Sequence, residues 1–203
     1  GTGGSGAYTT LTGPSITVTA AGDIGLGTII YTAPAGFAFN TAVTPTMAGA
    51  GLVGSCTLTA TDITCTVTTA VTGAGTATWA NIQVRPTNGT PLTSGNITRS
   101  GTSVIVWSGA APTNFGTLTE VAGAANKVAF TTQPGGGTGG TVWTTQPVVT
   151  VQDQFGNTVT GSSASITLAI GTNPSAGALT CTTNPLAAAS GVASFAGCKI
   201  DKA

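Results

Sequence analysis

Ser15-Ile-Thr-Val-Thr-Ala20, Cys65-Thr-Val-Thr68 and Ser165-Ile-Thr-Leu-Ala-Ile170 share one pattern: apolar side chains fall mainly on one face and threonines on the other. A period of two belongs to a half-buried antiparallel strand, with one face on a core and one in water. Helix signals are weak everywhere. Glu, Lys, Arg, Gln and Met are scarce, while Thr, Val, Ile and Gly dominate. Gly, Pro and Asn punctuate the chain about every 8–12 residues, the spacing of an all-β sandwich or barrel. The fold class expected is all-β.

Working outward, strands are expected near 8–12, 15–20, 27–32, 55–60, 63–69, 76–85, 94–99 and 102–107. A small, uncharged stretch, Val121-Ala-Gly-Ala-Ala125, then precedes a fresh strand, Lys127-Val-Ala-Phe-Thr-Thr132. Further strands are expected near 146–152, 165–170, 179–184 and 192–200. Two domains follow, 1–122 and 123–203. Gly135-Gly-Gly-Thr-Gly-Gly140 lies between two strand signals and reads as a loop within the second domain.

Charge narrows the function. The 203 residues hold five Lys+Arg, five Asp+Glu and no His, for a net charge of zero, with 5% charged residues. Ordinary domains carry about 25%. Threonine, roughly a fifth of the chain, supplies the polar surface instead. Scattered cations cannot build the stripe that nucleic acid or an anionic membrane surface requires. An acid–base enzyme needs a His or paired carboxylates, and Glu120 is the single glutamate. The expectation is no catalytic residue, no cofactor and no metal. Hydrophobic content of 40% and a mean hydropathy of +0.36 suffice for a core. No apolar run reaches the length of a membrane-spanning helix. A start of Gly1-Thr2-Gly3-Gly4-Ser5-Gly6, with no basic, apolar leader, reads as the mobile end of a secreted chain whose signal peptide is gone.

Four cysteines in so unreactive a chain read as two disulfides formed in an oxidising compartment. Hairpin symmetry selects among the three connectivities. The turn signal at Ala60-Thr-Asp62 sits midway between Cys56 and Cys65, and Ala188-Ala-Ser-Gly191 sits midway between Cys181 and Cys198. Facing residues of neighbouring strands come within disulfide range. A four-thiolate zinc site is the rival, but separations of nine and seventeen residues lack the close pairs it needs.

The second half resembles a known family. Lys127-Val-Ala-Phe-Thr-Thr-Gln-Pro134, Gln146-Pro-Val-Val-Thr-Val-Gln-Asp-Gln-Phe-Gly-Asn-Thr-Val159, Ala164-Ser-Ile-Thr-Leu-Ala-Ile-Gly-Thr-Asn-Pro174 and Gly191-Val-Ala-Ser-Phe195 resemble, in that order, the bacterial Ig-like repeats of secreted and surface proteins. The likeness covers about residues 126–202. It implies an Ig-like sandwich of about seven strands, used as a spacer, adhesin stalk or polymer unit, without catalytic residues. Tyr31-Thr-Ala-Pro-Ala-Gly-Phe-Ala-Phe39 and Ala80-Asn-Ile-Gln-Val-Arg-Pro86 are more loosely similar to the sandwich domains that accompany such repeats. The architecture expected is therefore two tandem antiparallel β-sandwich domains. In the repeats, the segment after Ile-Asp-Lys-Ala runs on through Gly into two more strands. Here the sequence ends at Lys199-Ile-Asp-Lys-Ala203, so the second domain is expected to lack its last strands.

Other candidates each carry two readings. Asp153-Gln-Phe-Gly-Asn157 is a calcium loop or, with one local carboxylate, a β-turn. Asn88-Gly-Thr90 and Asn96-Ile-Thr98 are N-glycosylation sequons. Trp79, Trp107 and Trp143, with Tyr8 and Tyr31, form a sugar-stacking platform or pack the core. Lys127 is a candidate for an intramolecular Lys–Asn isopeptide bond, which needs a buried carboxylate beside it, and Glu120 is the nearest in sequence.

Two functional readings result. The leading one is a structural subunit of an extracellular filament or cell-surface polymer, its partner other copies of itself, assembled head to tail by β-strand donation. The donor expected is the segment 7–20, with Tyr8, Leu11, Ile16 and Val18 as buried side chains, received near 181–203 of a neighbour. The alternative is an adhesin or carbohydrate-binding module of a larger surface protein.

Overall fold

Threonine alternation becomes antiparallel ladders. The computed structural model describes residues 7–107 and 109–202, and every named strand pairing among them is antiparallel. The fold is all-β, of the β-sandwich class. The chain divides into two compact units between Val121 and Ala122.

The first unit holds β1 (Thr9–Leu11), β2 (Ser15–Val18), β3 (Gly27–Thr32), β4 (Phe37–Phe39), β5 (Thr46–Ala48) and β6 (Val53–Leu58). It continues through β7 (Asp62–Thr69), β8 (Gly75–Ala80), β9 (Ile82–Pro86), β10 (Ser94–Asn96), β11 (Thr98–Ser100) and β12 (Thr117–Thr119). Four sheets result, in the orders β11-β3-β7-β6, β2-β8-β5, β1-β9-β4 and β10-β12. The period of two decides what is buried. In β7, Ile63, Cys65 and Val67 point inward while Thr66 and Thr68 face water. Trp79 and Tyr31 are fully buried and meet edge to face at 5.4 Å between ring centroids, a favoured aromatic geometry.

The structure corrects several expected elements. The stretch 94–99 is two short strands separated by the buried Ile97, and 102–107 pairs only through the Ile24–Ile105 bridge. Three-residue strands β4, β5 and β12, too short for a periodic signal, complete the sheets.

Gly13 separates β1 from β2. Its φ is +80°, and a Cβ there would run into the Trp79 carbonyl. Only glycine passes so close in a left-handed conformation.

The second unit holds β13 (Lys127–Thr132), β14 (Val148–Gln152), β15 (Ser165–Ile166), β16 (Leu179–Thr180), β17 (Leu186–Ala187), β18 (Val192–Ser194) and β19 (Lys199–Ile200). Its sheets are β13-β14-β18, β15-β17 and β16-β19. Where five strands were expected, there are seven short ones. Gly197, at φ +62°, lies between β18 and β19 inside the single strand expected over 192–200. The core is modest: Val149, Val151, Ile166, Ala188, Ala193, Phe195 and Cys198, with Trp143, Val159 and Leu168 packed against it.

Candidate functional site

One face of the sheet β13-β14-β18 changes character at its edge. Residues directly opposed across an antiparallel ladder share a face. Val128 opposes Val151 and Phe130 opposes Val149. On β14 these positions are core, with Val149 and Val151 each 3% exposed. On β13 the same face is open: Val128 is 56% and Phe130 44% exposed. Facing them across a groove of about 310 Å³ are Ile166 and Leu168. β13 pairs with β14 only, so its outer main chain has no ladder partner among the described residues. Lys127 is the one charge on this strand, and a register shift between Phe130 and Thr132 ends its regular pairing.

This open edge is not where sequence counting placed it. Within the region 181–203 expected as acceptor, β19 pairs with β16 and the Gly140 amide donates to the Ile200 carbonyl at 2.8 Å, while β18 is, like β13, an outer strand of its sheet. The expected donor segment 7–20 divides in two. Ile16 and Val18 are each 2% exposed in the core of their own unit, on a strand paired with β8, so 15–18 is not a free segment. Residues 9–11 differ. β1 is an edge strand with Thr9 and Thr10 exposed and Leu11 half-buried, held by three register pairs with β9. Tyr8 beside it carries the Arg85 guanidinium over its ring at 4.6 Å.

Cys56–Cys65 and Cys181–Cys198 are disulfide-bonded, and the described residues hold no free cysteine. Cys56 faces Cys65 in the β6–β7 ladder. Cys181 and Cys198 extend the β16–β19 register by one position. The candidate glycosylation residues Asn88 and Asn96 are both exposed. Asn96 accepts a hydrogen bond from the Thr117 hydroxyl at 2.8 Å.

The Asp153 loop is built as a turn. The Asp153 carboxylate, 2% exposed, accepts from the amides of Phe155 and Asn157, the Asn157 side-chain amide and the Gly123 amide, at 2.9 to 3.0 Å. Burial pushes its pKa up, but the Asn157 side chain and the three backbone donors outweigh it and hold the group at about 2. Its lone pairs are spent on N–H donors, which leaves none for a cation. No cluster of three or more potential metal ligands occurs among the described residues.

Within each unit the aromatic candidates mainly pack against the core. Trp79 and Tyr31 are core, and Phe115 bridges Tyr31 to Trp107 with centroids 5.7 and 6.0 Å apart. Trp143 belongs to the core of the second unit. Burial pushes the Tyr31 hydroxyl well above its ordinary pKa, against a smaller opposing pull from Arg99. Of the two isopeptide candidates, Lys127 is exposed on β13, and Glu120 is buried with Thr93 donating to Oε2. No helix of the described residues is long and apolar enough to cross a membrane.

Sequence reasoning missed two features. One is the Val128–Phe130 face, whose only signal is the alternation shared by every other strand. The other is a cleft in the first unit bordered by Arg85 and Glu120, which lie 35 residues apart and carry no motif. The sequence matches no family model, and no curated protein or solved structure matches it.

Proposed function

We propose that the protein is a structural subunit of an extracellular filament or cell-surface polymer, assembled head to tail by β-strand addition to the open groove beside β13. The observation that carries this reading is the sheet face that is core at Val149 and Val151 and solvent at Val128 and Phe130. A strand from a second copy, laid against β13, would pair its free main chain and cover both side chains. Burying the exposed halves of Val128 and Phe130 contributes about 2–3 kcal/mol. Each added ladder hydrogen bond contributes about 0.5–1.5 kcal/mol more.

The donor proposed is β1 with its flanks, narrowed from the expected 7–20. Its own side chains are exposed at Thr9 and Thr10 and half-buried at Leu11, whereas release of β2 would strip Ile16 and Val18 from a core. Donor and acceptor are different surfaces in different units of the chain, so the contact is heterologous, the kind that builds an open filament when its rotation does not close into a ring. The two disulfides support an oxidising, extracellular setting for this assembly.

The test is electron microscopy and sedimentation of the purified chain beside Phe130→Lys and Thr10→Pro. Wild type is expected to form filaments with a regular axial repeat, and both variants to stay monomeric with native circular dichroism. Wild-type filament lengths in Phe130→Lys would overturn β13 as acceptor, and in Thr10→Pro would overturn β1 as donor. A wild-type chain that remains monomeric would overturn the polymer reading.

A further inference from the structure

Glu120 is an expensive residue in its position. It is 5% exposed, and its Oε2 receives only long bonds from the Thr93 amide and hydroxyl, at 3.3 and 3.4 Å. Its Oε1 is sealed from water with no hydrogen-bond donor. A buried carboxylate oxygen without a donor is costly, and such orphans in a folded protein call for an explanation. Glu120 borders a cleft of about 290 Å³ in the first unit, between the edge strands β1 and β12. That volume is at the small end of the range for small-molecule sites.

The cleft combines three chemistries. Glu120 offers acceptors, and the soft terminal torsion of its side chain lets Oε1 turn toward an incoming donor. Arg85 offers a fork of N–H donors, with its plane held over the Tyr8 ring. Leu11, Phe37 and Val84 supply an apolar wall. One carboxylate and one guanidinium leave the site neutral, so neither an anion nor a cation gains by entering. A ligand suited to all three is itself neutral, carries hydroxyls that both donate and accept, and presents a flat C–H face to the wall. Those are the properties of a pyranose ring. A second groove of about 190 Å³ adjoins the first and shares Leu11, Thr117 and Leu118 with it. The trough therefore continues past one ring along the β1–β12 gap.

We propose that this cleft is a binding site for a neutral, linear glycan, with Glu120 and Arg85 holding one sugar ring and the adjoining groove holding the next. The site exists while β1 is docked in its own unit, so it does not rest on the assembly reading.

The experiment is amide NMR of the full chain titrated with glucose, galactose, cellobiose and laminaribiose. Free alanine serves as a zwitterionic probe and an uncharged strand-forming peptide as a macromolecular one. Shifts are expected at Leu11, Thr117, Leu118 and Glu120. The expected Kd is on the order of 1 mM for a monosaccharide, the range a ligand of this size reaches at ordinary efficiency. A disaccharide is expected to bind about tenfold tighter. Glu120→Gln should weaken binding about fivefold, the difference between a hydrogen bond to a charged acceptor and one to a neutral acceptor. Thr119→Arg, on the exposed rim, should block the cleft without touching the core, and tests the site should Glu120→Gln fail to fold. Absent shifts with all four sugars, or shifts elsewhere, would overturn the proposal. So would binding undiminished by both substitutions, or alanine or the peptide moving these amides where sugars do not.

Discussion

Removing the Cys181–Cys198 bond should unfold the second unit at temperatures where the first survives. The bond closes a ring across a sequence separation of 17, and Cys56–Cys65 one across a separation of 9. The loop-entropy estimate assigns them about 3.2 and about 2.7 kcal/mol. Similar energies fall on dissimilar cores. The first unit buries Trp79, Tyr31, Phe39 and a set of isoleucines under four sheets, while the second has a few valines, two alanines and Phe195 under three small ones. For a domain the size of the second unit, a loss of 1 kcal/mol lowers Tm by about 4–8 °C. The double substitution Cys181→Ala with Cys198→Ala should therefore lower its Tm by about 13–25 °C. In the first unit, the larger of the two, Cys56→Ala with Cys65→Ala should move its transition less. Calorimetry of the full chain reads both, because each unit has a core of its own and gives its own transition. A shift below about 5 °C for the Cys181/Cys198 variant, or one equal to that of the Cys56/Cys65 variant, would refute the reasoning.

Two further predictions rest on single residues. The folded pKa of Asp153, about 2, lies below its unfolded value, so the stability it contributes is present above about pH 4 and lost as pH falls toward about 2. Because Asp23 and Asp62 are held low as well, by Thr19 and Ala20 and by Thr32 and Thr61 respectively, they titrate in the same acid range. The reading is thus the difference between wild type and Asp153→Asn in an acid series followed by circular dichroism; an identical pH dependence would remove Asp153 from the account. Gly13 and Gly22 share a φ of +80°, but a Cβ at Gly13 meets the Trp79 carbonyl and one at Gly22 meets nothing within 4 Å. Gly22→Ala should cost about 1–2 kcal/mol of backbone strain, and Gly13→Ala more. Equal denaturant midpoints for the two would show that the close approach does not constrain the chain.

What could be read from the sequence was local. Cys56 and Cys65 flank a turn at equal distances along two arms, so their pairing needs no knowledge of the rest of the fold. Alternation likewise settles the two faces of β7, because Thr66 and Val67 are neighbours whatever packs on them. The Arg85–Glu120 cleft had no such signal, since its walls come from β1, β4, β9 and β12 and meet only after the sheets form.

The segment 7–20 shows the limit most clearly. Thr9 to Leu11 and Ser15 to Val18 are equally short, uncharged and threonine-rich, and sequence reasoning treated them as one donor. Packing separates them: β2 lies beside β8, whose Trp79 and Ala77 are wholly buried, while β1 lies at the rim of β9 with its threonines in water. The same distinction governs the acceptor. Val128 and Phe130 alternate as Val149 and Val151 do, yet one pair is half-exposed and the other core. Being an edge is a property of the neighbours a strand has, not of its residues. Counting strands toward residue 203 therefore pointed to the region 181–203, whereas the exposed apolar pair lies on β13. The pairing of β14 with β13 on one flank and β18 on the other leaves both as outer strands, and it is the uncovered Val128 and Phe130 that set β13 apart.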